Sequence, residues 1–149
     1  MRTYLVVIDD SAEARVALRF AARRAARTGG AVEILAFIPP SEFVQWGGVQ
    51  AAMEEEARLR VEAMVLEASG AILEEAGIQP SLVIKQGEPV KAIGELLKEK
   101  DVAALVLGAA ANGGPGPLVT HFSSVAASLP CPLFIVPGGL DEEALDRIS

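Results

Sequence analysis

The chain has 149 residues, half of them hydrophobic, with a formal net charge of −7 and a pI near 4.7. That is the size of one ordinary domain with enough apolar material for a core. The acidic balance argues against nucleic acid and anionic membrane as partners, because both reward positive charge.

Cys131 is the only cysteine, so no internal disulfide can form, and the expected compartment is a reducing cytoplasm. No stretch approaches 18 uninterrupted apolar residues. The run at the start, "YLVVI", is too short for a signal peptide or a membrane span.

The elements alternate along the chain. Thr3–Asp9 is rich in β-branched residues and reads as a strand buried on both faces. Ser11 is a good N-cap for the helix that follows, Glu13 favours its positive end, and Gly29 and Gly30 stop it. Ala31–Ile38 is a second strand, ended by Pro39 and Pro40. A loop carrying Phe43 and Trp46 leads into a long helix from about Val49 to Ala76. That helix sets Ala57, Val61, Met64, Val65, Ala68 and Ile72 on one face, Gly70 is a point where it could bend, and Gly77 ends it. Ser81–Gln86 is a third strand, and "GEPVKAIGELLKEK" a third helix with Pro89 in its first turn. Val102–Leu107 is a fourth strand. A glycine-rich loop then opens a helix over roughly Pro117 to Leu129, Pro132–Val136 is a fifth strand, and an acidic tail follows from about residue 138.

Strictly alternating strands and helices predict a single α/β domain over residues 1–149, a parallel sheet with helices on both faces. Such sheets bind ligands beyond the carboxyl ends of their strands, where the winding reverses.

Two loops carry candidate chemistry. Asp9, Asp10 and Ser11 end the first strand. They serve as helix caps, as an acidic Mg²⁺ pair of a receiver domain, or as a nucleotide contact. The receiver reading needs an acceptor aspartate after strand three and a lysine after strand five; "KQGEP" and "IVPGG" supply neither. The second loop is "GAAANGGPGPLVTHFSS", from Gly108 to Ser124. Gly113, Gly114 and Gly116 permit positive φ and a close backbone approach, Pro117 pre-sets the helix, and Thr120, Ser123 and Ser124 add hydroxyls. The free amides of that helix end favour an anion. Neither Gly-x-Gly-x-x-Gly nor a Walker A sequence is present, and no Lys or Arg occurs from Asp101 to Leu140. A triphosphate would therefore be held by backbone, hydroxyls and Mg²⁺.

With "VVIDDSAEARVALRFAARRA", "QGEPVKAI", "DVAALVLG" and "LPCPLFIVP" in this order, the chain resembles the universal stress protein family over nearly its full length. The resemblance implies a three-layer α/β/α fold, similar to adenine nucleotide alpha hydrolases, with a five-stranded parallel sheet of order 3-2-1-4-5. It implies a non-catalytic stress-response module and a homodimer, usually joined through the last strand. It also implies an adenine nucleotide, ATP or AMP, with Mg²⁺ accompanying a triphosphate. Nucleotide-binding members resemble Gly-x2-Gly-x9-Gly-Ser/Thr after strand four. Here Gly108 matches the first glycine and Thr120 the hydroxyl, while Ala111 and Val119 stand where the other two glycines belong. The candidate contacts are Asp9, Asp10, Ser11, Gly108, Gly113, Gly114, Thr120 and Ser123; no metal ligands and no catalytic residues are assigned. A ligand-free dimeric scaffold and a weak nucleotide hydrolase are the alternatives.

Four further features have modest expectations. Arg15, Arg19, Arg23 and Arg27 step by four along the first helix and read as a solvated basic stripe, offset by acids such as Glu54, Glu55 and Glu56. Phe43 and Trp46 read as packing on the core edge. His121 is the only histidine and offers no metal pair, and Cys131 reads as an inert core thiol.

Overall fold

The computed structural model describes residues 2–39 and 47–149. Phe43 and Trp46 lie outside the described residues. Strands β1 (Thr3–Val7), β2 (Ala31–Ile38), β3 (Ser81–Gln86), β4 (Ala104–Ala109) and β5 (Leu133–Pro137) form one parallel sheet of order β3-β2-β1-β4-β5. The winding reverses between β1 and β4, which pair from Tyr4 with Ala104 to Val6 with Val106. Helices α1 (Ala12–Thr28), α2 (Gly47–Ala76), α3 (Pro89–Glu99), α4 (Pro117–Ser124) and α5 (Glu142–Ile148) complete the chain. The fold class and strand order expected from the resemblance are the ones observed.

The central strands are buried on both faces because each face meets its own layer of helices. On one side, Tyr4, Val6 and Ile34 pack against the alanine-rich face of α1 and the inward face of α2. On the other, Leu5, Val7 and Leu105 pack against Ile93 and Leu97 of α3 and Val119 and Phe122 of α4. Ser11 caps α1 as expected, its hydroxyl accepting from the Ala14 amide at 3.2 Å, and Gly29 ends the helix in the left-handed conformation.

Several boundaries differ from expectation for local reasons. α2 runs without interruption through Gly70. β4 starts and ends two residues later than expected, so Gly108 belongs to the strand, beside Val136 of β5. α4 stops at Ser124 and gives way to a single 3₁₀ turn over Ala126–Ser128. Its end is tightened by Ser123 and Ser124, whose hydroxyls donate to the carbonyls of Thr120 and His121 three residues back. The acidic tail is a helix, α5, capped by Asp141, which accepts from the Ala144 amide at 2.8 Å.

The arginine stripe is a clamp rather than a solvated face. Among the described residues its partners are Glu75 at the end of α2 and Glu142 and Asp146 of α5. Arg19 and Arg23 both bind Glu75, at 2.9 and 2.6 Å, and Arg23 and Arg27 both reach Asp146 at 3.1 Å. The C-terminal end of α2 and helix α5, distant in sequence, are thus both held on α1. The hydrogen bond from Arg19, opposed by partial burial and reinforced by Arg23, holds the Glu75 carboxyl below the usual glutamate range. Arg15 stands apart from the clamp, beside a groove between α1 and α2.

At the opposite pole of the sheet from the β1 and β4 carboxyl ends, the buried carboxylate of Glu33 on β2 is paired with the ammonium of Lys100, which caps α3. Arg24 adds a cation over the Phe134 ring at 5.9 Å.

Lys100→Met should lower unfolding stability by about 2 kcal/mol in urea titration, because it strands a buried carboxylate beside a partly exposed partner. Glu75→Gln should cost roughly 1 kcal/mol near neutral pH. Since Glu75 is depressed in the folded state, its contribution is complete above the ordinary glutamate value of 4.5 and is lost as pH falls through the folded value. Parallel acid titrations of wild type and Glu75→Gln should therefore converge at low pH.

Candidate functional site

The loops after β1 and β4 face each other across a cleft of about 590 Å³ at the winding reversal. Its floor is Val7, Ile8, Leu107 and Gly108 from the strand ends. One wall is the β1–α1 turn and the first turn of α1. The facing wall is Pro115 to Val119, at the start of α4. Phe37, Val61 and Met64 close one side, and Glu88, Pro89 and Val90 another. The interior is mostly apolar, with polar groups at the mouth.

Of the residues expected at a site, Asp9, Asp10, Ser11 and Gly108 line this cleft together. Asp9 accepts from the Ser11 amide through Oδ1 at 2.9 Å, which turns the chain into α1 and leaves its other oxygen at the exposed rim. Ser11 is occupied in capping. The capping and site readings of these residues are therefore compatible: one carboxylate oxygen builds the turn, and the second faces the mouth.

Gly113, Gly114, Thr120 and Ser123 are not part of the lining. Gly113 and Gly114 do take positive φ, 79° and 91°, but in open surroundings. The Thr120 hydroxyl donates to the Gly116 carbonyl at 2.9 Å and the Ser123 hydroxyl to Thr120, so both are turned back on their own helix. The wall belongs instead to Gly116 and the first turn of α4. Gly116 sits at φ 101°, where a side chain would be strained, and no side chain caps the helix. By helix geometry, the amides of Leu118 and Val119 have no partner within α4 and point toward its N-terminal end. Val119 does line the cleft, but it is also buried in the core with Phe122.

Gly108 has a structural explanation separate from ligand contact. A Cβ there would lie 2.2 Å from the Glu13 carbonyl oxygen, and one at Gly138 would lie 2.6 Å from the Glu13 Cβ. Both glycines exist so that the first turn of α1 can rest directly on β4 and on the end of β5.

Sequence reading missed Arg60, Glu88 and the apolar group of Phe37, Met64 and Val90. Arg60 comes from α2, far from either loop, and carries the only positive charge of the lining among the described residues; it pairs with Glu56 at 3.2 Å. Glu88 accepts from the amides of Val90 and Lys91 and caps α3. The pattern Glu-Pro before a helix was the available signal for Glu88; nothing local marked Arg60. Against Arg60 stand four carboxylates, Asp9, Asp10, Glu13 and Glu88. Among the described residues, no three His, Cys, Asp or Glu side chains are grouped to hold a metal ion. His121 packs edge-on against Phe122, away from the cleft lining. Cys131 is half-buried; burial pushes its thiol up, opposed by a hydrogen bond with the Leu105 backbone. No helix among the described residues is long and apolar enough to cross a membrane.

A model of the universal stress protein family matches residues 1–137. No curated protein matches the chain by sequence. Among solved structures, the chain is similar to the universal stress protein UspA from Lactobacillus plantarum, with 18% identity, a TM-score of 0.72, and coverage of 91% of this chain and 97% of that one. It is similar to the universal stress protein from Archaeoglobus fulgidus in complex with dAMP, with 19% identity, a TM-score of 0.64, and coverage of 91% and 97%. A universal stress protein in complex with cAMP shares 21% identity at a TM-score of 0.64, with coverage of 91% and 96%.

The two glycine roles separate experimentally. Gly108→Ala should cost about 2–3 kcal/mol by overpacking α1 against β4. Gly113→Ala should cost only about 1 kcal/mol, the penalty of positive φ without a clash. Urea titration of both variants in the absence of ligand checks this; equal small losses would remove the packing explanation for Gly108.

Proposed function

The chain belongs to the universal stress protein family, and we propose that it is a non-catalytic binding module whose cleft takes an adenine nucleotide of the monophosphate class. The observation that carries this reading is the cleft itself: an apolar slot at the β1 and β4 strand ends, with one arginine and the uncapped start of α4 on its walls. The purine packs among Phe37, Val61 and Met64, and Asp9 accepts from the base or ribose. The phosphate meets the amides of Leu118 and Val119 and the guanidinium of Arg60. This replaces the expected phosphate contacts at Gly113, Gly114, Thr120 and Ser123 with backbone amides and an arginine.

Charge decides between phosphate lengths. Four carboxylates and one cation favour a short anionic chain over a triphosphate, whose binding would require Mg²⁺ carried in with it. Among the described residues, the lining contains no histidine, cysteine or lysine and the Ser11 hydroxyl is engaged at the helix cap, which favours binding over turnover. That the dAMP and cAMP complexes belong to relatives of the same fold agrees with this reading. The corresponding place of work is the cytoplasm.

A second reading, a ligand-free dimeric scaffold, is favoured by one observation: β5 is an edge strand, with Ile135 41% exposed and Ile148 of α5 47% exposed nearby.

Protein purified without added nucleotide, denatured and analysed by chromatography should release adenine nucleotide. In thermal-shift titrations AMP should raise the melting temperature more than ATP with Mg²⁺ does. Arg60→Ala should weaken AMP about tenfold, a loss of roughly 1.4 kcal/mol, while leaving adenosine unchanged. Absence of both release and shift at millimolar AMP would sink the nucleotide reading and leave the scaffold.

A further inference from the structure

α2 is apolar on two opposite faces. Its inner face is accounted for by Val61, Val65 and Ile72, all buried in the core. Its outer face carries Leu59, Leu66 and Leu73, which are 56%, 64% and 46% exposed. They are spaced by seven residues. Ala63 and Gly70, also exposed, follow Leu59 and Leu66 by four. This is a coiled-coil seam about 21 Å long, in which large leucines alternate with residues that occupy almost no space. The helix is already fully used as a core element by its other face, so folding does not explain the leucines.

We infer that the outer face of α2 docks on the same face of a second copy of this chain, with the two helices antiparallel. The side-chain sizes are self-complementary in that orientation. With Ala63 set against Leu66 of the second copy, Leu59 meets its Gly70, and both contacts repeat by symmetry. Large against small at the four central layers lets the axes approach toward the close end of the usual 8–10 Å range. The residues flanking the seam agree. On one edge Arg60 meets Glu67 of the second copy, twice by symmetry; on the other edge no exposed charge faces Glu62. Glu56 falls opposite Leu73 at the ends of the seam, where its carboxylate reaches water. A parallel pairing sets Glu62 against Glu67 on both sides, which offsets its Glu55–Arg60 contacts, and sets leucine against leucine and alanine against alanine. Charge and size therefore choose the antiparallel pair.

This surface is separate from β5 and meets the cleft only at Arg60, on its edge. α2 covers β2 and β3, whereas β5 is the far edge strand. A seam of this length lies at the small end of specific interfaces, so the association is reversible and concentration-dependent.

The test uses the full chain with Cys131→Ser, so that every cysteine is an introduced one. On mild oxidation, Leu59→Cys combined with Gly70→Cys should give a covalent dimer, while either substitution alone should not. A cross-link with Leu59→Cys alone would mean parallel docking and overturn the proposal, as would no cross-link in the double variant. Independently, Leu66→Glu should lower the weight-average mass in sedimentation equilibrium without lowering the melting temperature, since Leu66 is exposed. An unchanged mass, or a wild type that stays monomeric at every concentration, would equally overturn it. Pairing along β5 reproduces neither result, because it brings no α2 residues together.

Discussion

The contact on which the site depends is the direct seating of the first turn of α1 on β4 and the end of β5. The carbonyl of Glu13 approaches the backbone at Gly108 so closely that no side chain fits between them, and Gly138 admits the same turn from the next strand. A helix held that near the strands has little freedom to slide. Asp9, Asp10 and Ser11 precede it immediately, so their distance from the start of α4 is set by backbone packing rather than by the loops themselves. The loops can therefore vary while the cleft keeps its width.

α2 serves the molecule from two sides. Its inner face completes the core over β2, its C-terminal Glu75 is gripped by Arg19 and Arg23, and its Arg60 reaches the cleft mouth. Because Arg60 also flanks the outer leucine seam, one cation stands at the boundary of both surfaces. Binding at the cleft and docking along α2 would compete for, or share, the same guanidinium.

Much of the fold was legible because the central strands β1, β2 and β4 are buried on both faces and several elements have a strong local start or stop. Runs such as "YLVVI" and "ALVL", with Ser11, Gly29, Pro89 and Gly77 between them, define the elements without tertiary information. The strand order came from the resemblance; nothing local in β1 or β4 says that they are neighbours. Legibility failed where partners are distant in sequence. The acids that neutralise the arginine stripe lie 52 to 123 residues away, and nothing local in α1 points to them. The α5 helix was hidden because its stability comes from that clamp and from burial of Leu145, in a segment whose composition reads as a tail. At the site, glycine and hydroxyl content pointed to a loop whose end, Pro115 to Val119, lines the cleft, while Gly113, Gly114, Thr120 and Ser123 lie outside the lining. Composition does not say which way a hydroxyl turns, and Thr120 and Ser123 turn back to their own helix. Gly108 was found for its family position, although its tightest constraint is the helix beneath it.

The pairing of Glu33 with Lys100 has a consequence for how the protein can change. It lies at the amino-terminal pole of the sheet, where α3 ends, while the cleft lies at the carboxyl-terminal pole, where α3 begins with Glu88. A polar anchor is thus separated from the cleft-lining residues by the full length of the strands. Substitutions around the mouth can change the cleft without disturbing this anchor. The scaffold is in that sense modular along its strand axis, with permanence at one end and room for divergence at the other.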